Sequence, residues 1–403
     1  MSKTGLGGAG ASDRVFYDPF QPDTRLDPYP LYRQLRTSEP VQWNEFVQIW
    51  TLTRYADVTA VLRDNRLSAD RTRSDRFQRP PGREIYQSML TLDPPDHTRL
   101  RTLVNKAFTP ASVERLRPRV QVLVDEILSA AAERGWMEVI SELAYPLPVT
   151  VIAEMLGIPP EDHQVFKDWS ATLAANLDPI RSGELREDAF EARDALAEYL
   201  SEVVERRRRR PGDDLISGLL AAEELGDVLT HRELLTMCNL LLIAGHETTV
   251  NLIGNGLRAL LANPDQFQRL QQDSGLIETA VEELLRFDGP VQLTGRVVVE
   301  ATRVADVQME AGQFVMLLLG AANRDPEQFP DPDRLDLGRR PNQHLGFGRG
   351  IHFCLGAPLA RLEGQVVLGA MVSRFPGLRL DGDPVQRDTV TLRGLEALPV
   401  AFG

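Results

Sequence analysis

One run of residues constrains the fold more than any other. From Glu233 to Pro264 the chain reads ELLTMCNLLLIAGHETTVNLIGNGLRALLANP, with apolar residues recurring at helical spacing. As a single helix, about 32 residues reach roughly 48 Å. A helix of that length crosses a whole globular molecule, so the remaining elements must pack around it. Its apolar stretch Leu240 to Ala244 gives way to Gly245, His246, Glu247, Thr248 and Thr249. Polar groups in the middle of a core helix are costly unless they are paired or open to a cavity, and such a violation marks a functional site.

The rest of the chain supports a mainly α fold with small β-sheets (α+β). PLYRQLR (Pro30 to Arg36), SVERLRPRVQVLVDEILSAAAERG, LPVTVIAEMLGIP, DAFEARDALAEYLSEVVERRRRR and Ala357 to Phe375 read as helices. VQIWTLTRY (Val47 to Tyr55), GRVVVEATRV and GQFVMLLLG read as strands, and the first of them places a small sheet near the N-terminus. Asn323 to Arg340 is a Pro- and Asp-rich meander. The arginines Arg206 to Arg210 read as a solvated helix end. Met1 to Ser12 is Gly-rich and is expected to be a mobile arm. No linker divides the interior of the 403 residues, so 13–403 is read as one domain.

The composition, 42% hydrophobic and 26% charged, is that of a globular protein. A formal net charge of −13 argues against nucleic-acid binding. Neither a signal peptide nor a membrane-spanning run is visible, which predicts a cytoplasmic protein free of the membrane. With only Cys238 and Cys354, no disulfide framework is expected. Cys238, in TMCNLLLIAG, reads as a core residue.

Cys354 stands in FGRGIHFCLG, Phe347 to Gly356, and opens the helix that follows. Gly348 and Gly350 permit a tight turn where a Cβ would obstruct φ > 0 or a close approach. A thiol at a helix N-terminus is expected to have its pKa lowered, which suits it as an anionic ligand. Phe347, Gly348, Gly350, His352, Cys354 and Gly356 match the haem-binding signature of the cytochrome P450 family, and the chain resembles that family. The resemblance implies the P450 fold, with a long central helix over haem b (iron protoporphyrin IX) and Cys354 as proximal iron ligand. It implies that His352 reaches a haem propionate.

AGHETT resembles the family's oxygen-activation segment, in which Glu247 feeds protons and Thr248 holds dioxygen or its water, with Ala244 and Gly245 against the cofactor. Thr248 and Thr249 lie four residues after Ala244 and Gly245, so each hydroxyl is placed to bond an i−4 carbonyl, bend the helix and open a groove. His246 is read as no ligand. Glu283 and Arg286, three apart in EELLR, match the family's E-x-x-R motif, and Arg334 in PDRL is expected to complete that network as a support for the haem pocket. In DPPDHTRLR, His97 and Arg101 resemble the family's propionate-binding pair, and Arg296 in LTGRVV is a further candidate.

By resemblance the chain is a monooxygenase inserting one atom of dioxygen into a C–H bond or alkene. No flavin or nicotinamide fingerprint is present, and family members of this type take electrons from a ferredoxin and its NAD(P)H-dependent reductase, with Arg101 and Arg349 placed to help docking. A monomer is expected. Segments Arg71 to Met89, Leu173 to Leu185, Val291 to Leu293 and Gly394 to Ala397 correspond to those lining substrate cavities in the family. The overall look resembles actinobacterial enzymes acting on polyketides, macrolide-type compounds and other secondary metabolites. A haem-thiolate peroxygenase, a redox-neutral rearrangement enzyme and a non-catalytic haem sensor remain as alternatives.

Overall fold

The structure is a computed structural model that describes residues 15–18, 21–45, 47–77, 87–174, 187–224 and 229–403. The arm Met1 to Ser12, and parts of the segments 71–89 and 173–185, lie outside the described residues.

The expected long helix runs His231–Ala262 as one element. It starts two residues before Glu233, and the capping chemistry shows why. The Thr230 hydroxyl accepts from the Glu233 N–H at 3.2 Å, while the Glu233 carboxylate accepts from the Thr230 N–H at 2.8 Å, so two otherwise orphaned donors are satisfied reciprocally. At the far end Asn263 leaves the helix, and Pro264 opens the next one, Pro264–Gln272. Every residue from 249 to 257 is buried, so this half is a core helix with no solvent face. The helices Pro146–Met155, Glu187–Arg209, Ile277–Phe287 and Ala357–Arg374 pack around it.

The sheet near the N-terminus is completed by two strands from beyond residue 290. Strands Val41–Asn44, Ile49–Leu52, Phe314–Leu318, Leu293–Val298 and Leu67–Ser68 lie side by side in that order. Ile49–Leu52 and Phe314–Leu318 are parallel, in the register Ile49 to Phe314, and the other pairs are antiparallel. The strand expected over Val47 to Tyr55 ends at Leu52. Tyr55 instead opens a helix, Tyr55–Arg63, with its N–H bonded to Asp325 Oδ2 at 2.8 Å.

Two other expectations change. The segment beginning SVERL splits into Pro110–Glu114 and Arg117–Arg134, because Pro118 falls in the first turn of the second helix. The basic helix end is not wholly solvated: Arg207 pairs with Asp214 and donates to the Gly157 carbonyl at 2.9 Å, fastening two helix ends together. Among the described residues, no helix is long and apolar enough to cross a membrane.

Candidate functional site

The cysteine loop turns where its glycines allow it. Gly348 and Gly350 have φ of +68° and +73°, and a Cβ at Gly350 would fall 2.3 Å from the Leu62 carbonyl oxygen. The turn closes with the Cys354 N–H on the Phe347 carbonyl at 3.0 Å. Phe347 is buried beneath it, beside the Phe353 ring and under the guanidinium of Arg361, which lies 4.6 Å from its ring centre. Arg361, on the cysteine helix Ala357–Arg374, grips Glu282 at 2.6 and 2.9 Å, and His344 meets the same carboxylate at 3.1 Å. The Glu282 carboxyl, which burial alone would raise, is held down at about 2 by these partners.

The Cys354 side chain is hemmed in by protein yet the residue is exposed, as a group that lines an opening must be. Desolvation pushes its thiol pKa up. The N–H groups of Gly356 and Ala357 and the charges of Arg101 and Arg361 oppose that rise. The expected lowering therefore does not prevail: the helix N-terminus acts as predicted, and burial outweighs it. A Cβ on Gly356 would lie 3.9 Å from the sulfur, an ordinary contact. No group of three or more His, Cys, Asp or Glu placed to hold a metal occurs among the described residues. Cys354 therefore stands as a lone sulfur donor among the described residues, a donor that a porphyrin iron can use. Cys238 is fully buried, its thiol pushed up to about 12, which fits a core residue.

On the central helix, Ala244 is exposed and Thr248 half-exposed one turn later, which opens this face just before the fully buried run that starts at 249. The Thr248 hydroxyl donates to the Ala244 carbonyl at 3.0 Å and the Thr249 hydroxyl to the Gly245 carbonyl at 3.2 Å, as the spacing predicts. The helix nonetheless stays continuous. Gly245 answers to packing: a Cβ there would come within 2.9 Å of Ile152 Cδ1. His246 is buried against Ser170, the Leu242 carbonyl and the edge of the Tyr145 ring.

Glu247 is buried, with Oε1 on the guanidinium of Arg387 and Oε2 without a hydrogen-bond partner. Sequence reasoning missed Arg387, which belongs to no motif and lies 140 residues away. It also missed Glu363, on the cysteine helix, whose carboxyl is fully buried and pushed up to about 8 by desolvation. Neither Glu363 oxygen has a hydrogen-bond partner; the neighbouring Thr249 hydroxyl, which donates to the Gly245 carbonyl, opposes the rise without reversing it. An acid among the apolar residues of LARLEGQVV was the signal available for it.

The candidate propionate residues gather as expected. The rings of His97 and His352 stand 4.3 Å apart, and neither nitrogen of His97 nor Nε2 of His352 has a hydrogen-bond partner. Burial and the charge of Arg296 push His352 down to about 4, so it is neutral. Arg296 is buried beside its own strand, pushed down to about 10 by desolvation and by the nearby charge of Arg71, while Asp93 opposes. Arg71 was not singled out by the sequence. Orphaned imidazole nitrogens beside cations in excess of carboxylates suit a group that brings two carboxylates of its own, and haem fits this donor set.

Glu283 and Arg286 meet as expected, fully buried, at 2.8 Å through both oxygens. Arg334 does not complete the network. The side chain that does is Arg339, whose Nε lies 3.1 Å from both Glu283 oxygens, whereas Arg334 contributes its backbone carbonyl and points its exposed side chain elsewhere. The other hydrogen-bond donors of Arg286 reach the carbonyls of Asn323 and Pro332. Of the candidate substrate segments, Val291 bridges to Leu392, which brings 291–293 beside the C-terminal hairpin.

The family model described as "Cytochrome P450" matches residues 43–389. The chain is 43% identical to the cytochrome P450 monooxygenase PikC of Streptomyces venezuelae, covering 94% of this chain and 92% of that one. It is 43% identical to a vitamin D(3) 25-hydroxylase of Pseudonocardia autotrophica, covering 96% of each. Among solved structures, the bacillaene polyketide synthase cytochrome P450 PksS of Bacillus subtilis superposes with a TM-score of 0.90 at 38% identity, over 96% of this chain and all of that one. Members of the family bind haem b through a cysteine thiolate and draw on dioxygen and redox partners. The chain therefore belongs to the cytochrome P450 family and is a haem-dependent monooxygenase.

Proposed function

We propose that Cys354 is the thiolate ligand of the haem iron, that His97, Arg101, Arg296 and His352 hold the propionates, and that Glu247 and Thr248 manage protons for oxidation of a polyketide, macrolide-type or similar secondary metabolite. Electrons come from a ferredoxin and its NAD(P)H-dependent reductase. The observation that carries this reading is the Cys354 sulfur, facing an opening between two helix N–H groups and Arg101, with the orphaned imidazoles of His97 and His352 at the same site. PksS, named for a polyketide, and the vitamin D(3) hydroxylase support a bulky, largely apolar substrate.

When bound, haem supplies dioxygen activation with two electrons and two protons. The chain's own part is proton handling and exclusion of bulk water. With its hydrogen committed to the Ala244 carbonyl, the Thr248 hydroxyl offers lone pairs to the open face and acts there as an acceptor. Glu247, buried behind it, is the nearest acid in sequence, and its free Oε2 is the atom that can carry a proton.

The test is the absorption spectrum of the reduced, carbon-monoxide-bound protein. The thiolate-type Soret band is expected in the wild type and lost in Cys354→Ala; an unchanged band in the variant rejects the assignment. Arg349 donates to the Tyr55 hydroxyl at 2.9 Å, which leaves it half-buried beside the cysteine loop. Arg349→Glu is expected to slow electron transfer from ferredoxin at unchanged haem content, and unchanged transfer rejects that docking role.

A further inference from the structure

The last hairpin of the chain lies along one stripe of the central helix. Its strands Val385–Gln386 and Leu395–Ala397 run antiparallel. Glu247, Asn251, Asn255 and Arg258, spaced four, four and three apart and so on one helical face, all meet it. Asn255 Nδ2 donates to the Arg393 carbonyl at 3.0 Å, and Arg258 donates to Gln386 Oε1 at 2.9 Å. A Cβ on Gly394 would land 1.8 Å from Asn251 Oδ1, so the hairpin lies flush against the helix.

Arg387 is mounted on that hairpin from both sides. Its own N–H donates to the Gly394 carbonyl at 3.0 Å and its Nε to the Leu395 carbonyl at 3.0 Å, and the remaining fork reaches Glu247 Oε1. The guanidinium is a charge fixed by backbone bonds rather than one swinging on a flexible stem. Two further titratable groups among the described residues near Glu247, Tyr145 and His246, are neutral, and the Asp168 carboxylate acts on the same Tyr145. Tyr145, at the start of the helix Pro146–Met155, is pushed up to about 12 by burial and by the Glu247 charge, and burial lowers His246. Among the described residues, Arg387 is the charged side chain that pairs with Glu247.

We propose that Arg387 is a positioning residue for the reaction: it anchors Oε1 of Glu247, leaves Oε2 as the atom that accepts and gives up protons, and sets the pH range in which this relay works. The proposal rests on the reading of Glu247 as the proton-handling acid. A cation in contact with a carboxylate favours its charged form, and removing that cation from a buried site favours the protonated one.

The experiment uses the holoenzyme with its reductase and ferredoxin and compares Arg387→Gln, Arg387→Lys, Glu247→Gln and the double variant Arg387→Gln/Glu247→Gln. In Arg387→Gln the alkaline limb of the turnover pH profile is expected to move up by about one unit or more. A second protonated-carboxyl infrared band, beyond the one expected from Glu363 in every variant, is expected to appear at neutral pH in Arg387→Gln and to be missing from the double variant. Arg387→Lys keeps the charge and is expected to keep the wild-type profile. A profile and carboxyl band unchanged in Arg387→Gln overturn the proposal, as does an equal shift in Arg387→Lys, which would trace the effect to packing. If Glu247→Gln turns over with the wild-type rate and profile, the proton role of Glu247 itself fails; if it slows turnover while Arg387→Gln shifts nothing, only the role of Arg387 fails.

Discussion

Glu283 and Glu363 are both completely buried carboxyls on helices that pack together, yet their surroundings differ in kind. Around Glu283 stand Arg286, Arg339, the Asn342 amide and the Asp336 N–H, all at 2.8 to 3.1 Å. Around Glu363 no donor reaches hydrogen-bonding geometry, and its carboxyl is pushed up to about 8. In the first region every lone pair of the carboxyl is met, and it serves as a rigid knot under the cysteine loop. The second keeps its proton because nothing meets the charge. Glu247 lies between these extremes, with one oxygen paired and one free. Saturated polar clusters hold the fold; under-satisfied ones sit where protons have to move.

The contrast can be broken by substitution. Glu283→Ala leaves Arg286 charged, buried and unpaired, and is expected to cost about 3–5 kcal/mol, read as a lower denaturation midpoint and poor haem retention. Glu363 tests the opposite case through pH. Its pKa is about 4.3 in the unfolded chain and about 8 in the fold, so between these values the folded state retains a proton that the unfolded state has released. Its contribution to stability is complete below about pH 4 and falls as pH rises toward 8. Glu363→Gln is expected to flatten that part of the stability–pH curve, a gain on the order of a few kcal/mol at pH 8; a slope that persists in the variant would assign it to another group.

Smaller effects sharpen the comparison. Arg339→Gln removes a partner of Glu283 and is expected to cost about 1–3 kcal/mol, whereas Arg334→Gln, whose side chain is exposed, should stay within about 0.5 kcal/mol. Equal losses in a thermal melt would restore Arg334 to the network. Thr248→Val is expected to change stability by no more than about 0.5 kcal/mol while lowering product formed per dioxygen consumed; unchanged coupling would remove Thr248 from proton handling.

The parts legible in the sequence share a physical character. The 32-residue helix follows from apolar periodicity, although its start, two residues before Glu233 at the Thr230 cap, was not read. The cysteine turn follows from two glycines with positive φ, and the threonine bonds from i−4 spacing. All of these are decided within a few residues of chain. Charge partners are decided through space: Arg339 rather than Arg334 on Glu283, Arg387 on Glu247, Arg71 beside Arg296. The strand Ile49–Leu52 was visible as strand-like, whereas Val41–Asn44 was not read as a strand, and two of the five strands of their sheet come from residues beyond 290.

The cysteine shows where the boundary falls. Sequence alone placed Cys354 at a helix N-terminus and so gave it N–H donors, since that depends on the adjoining backbone. Only the tertiary structure decided the net direction of its pKa, because desolvation is set by everything that packs around the sulfur, and here it exceeds what two N–H groups, Arg101 and Arg361 supply.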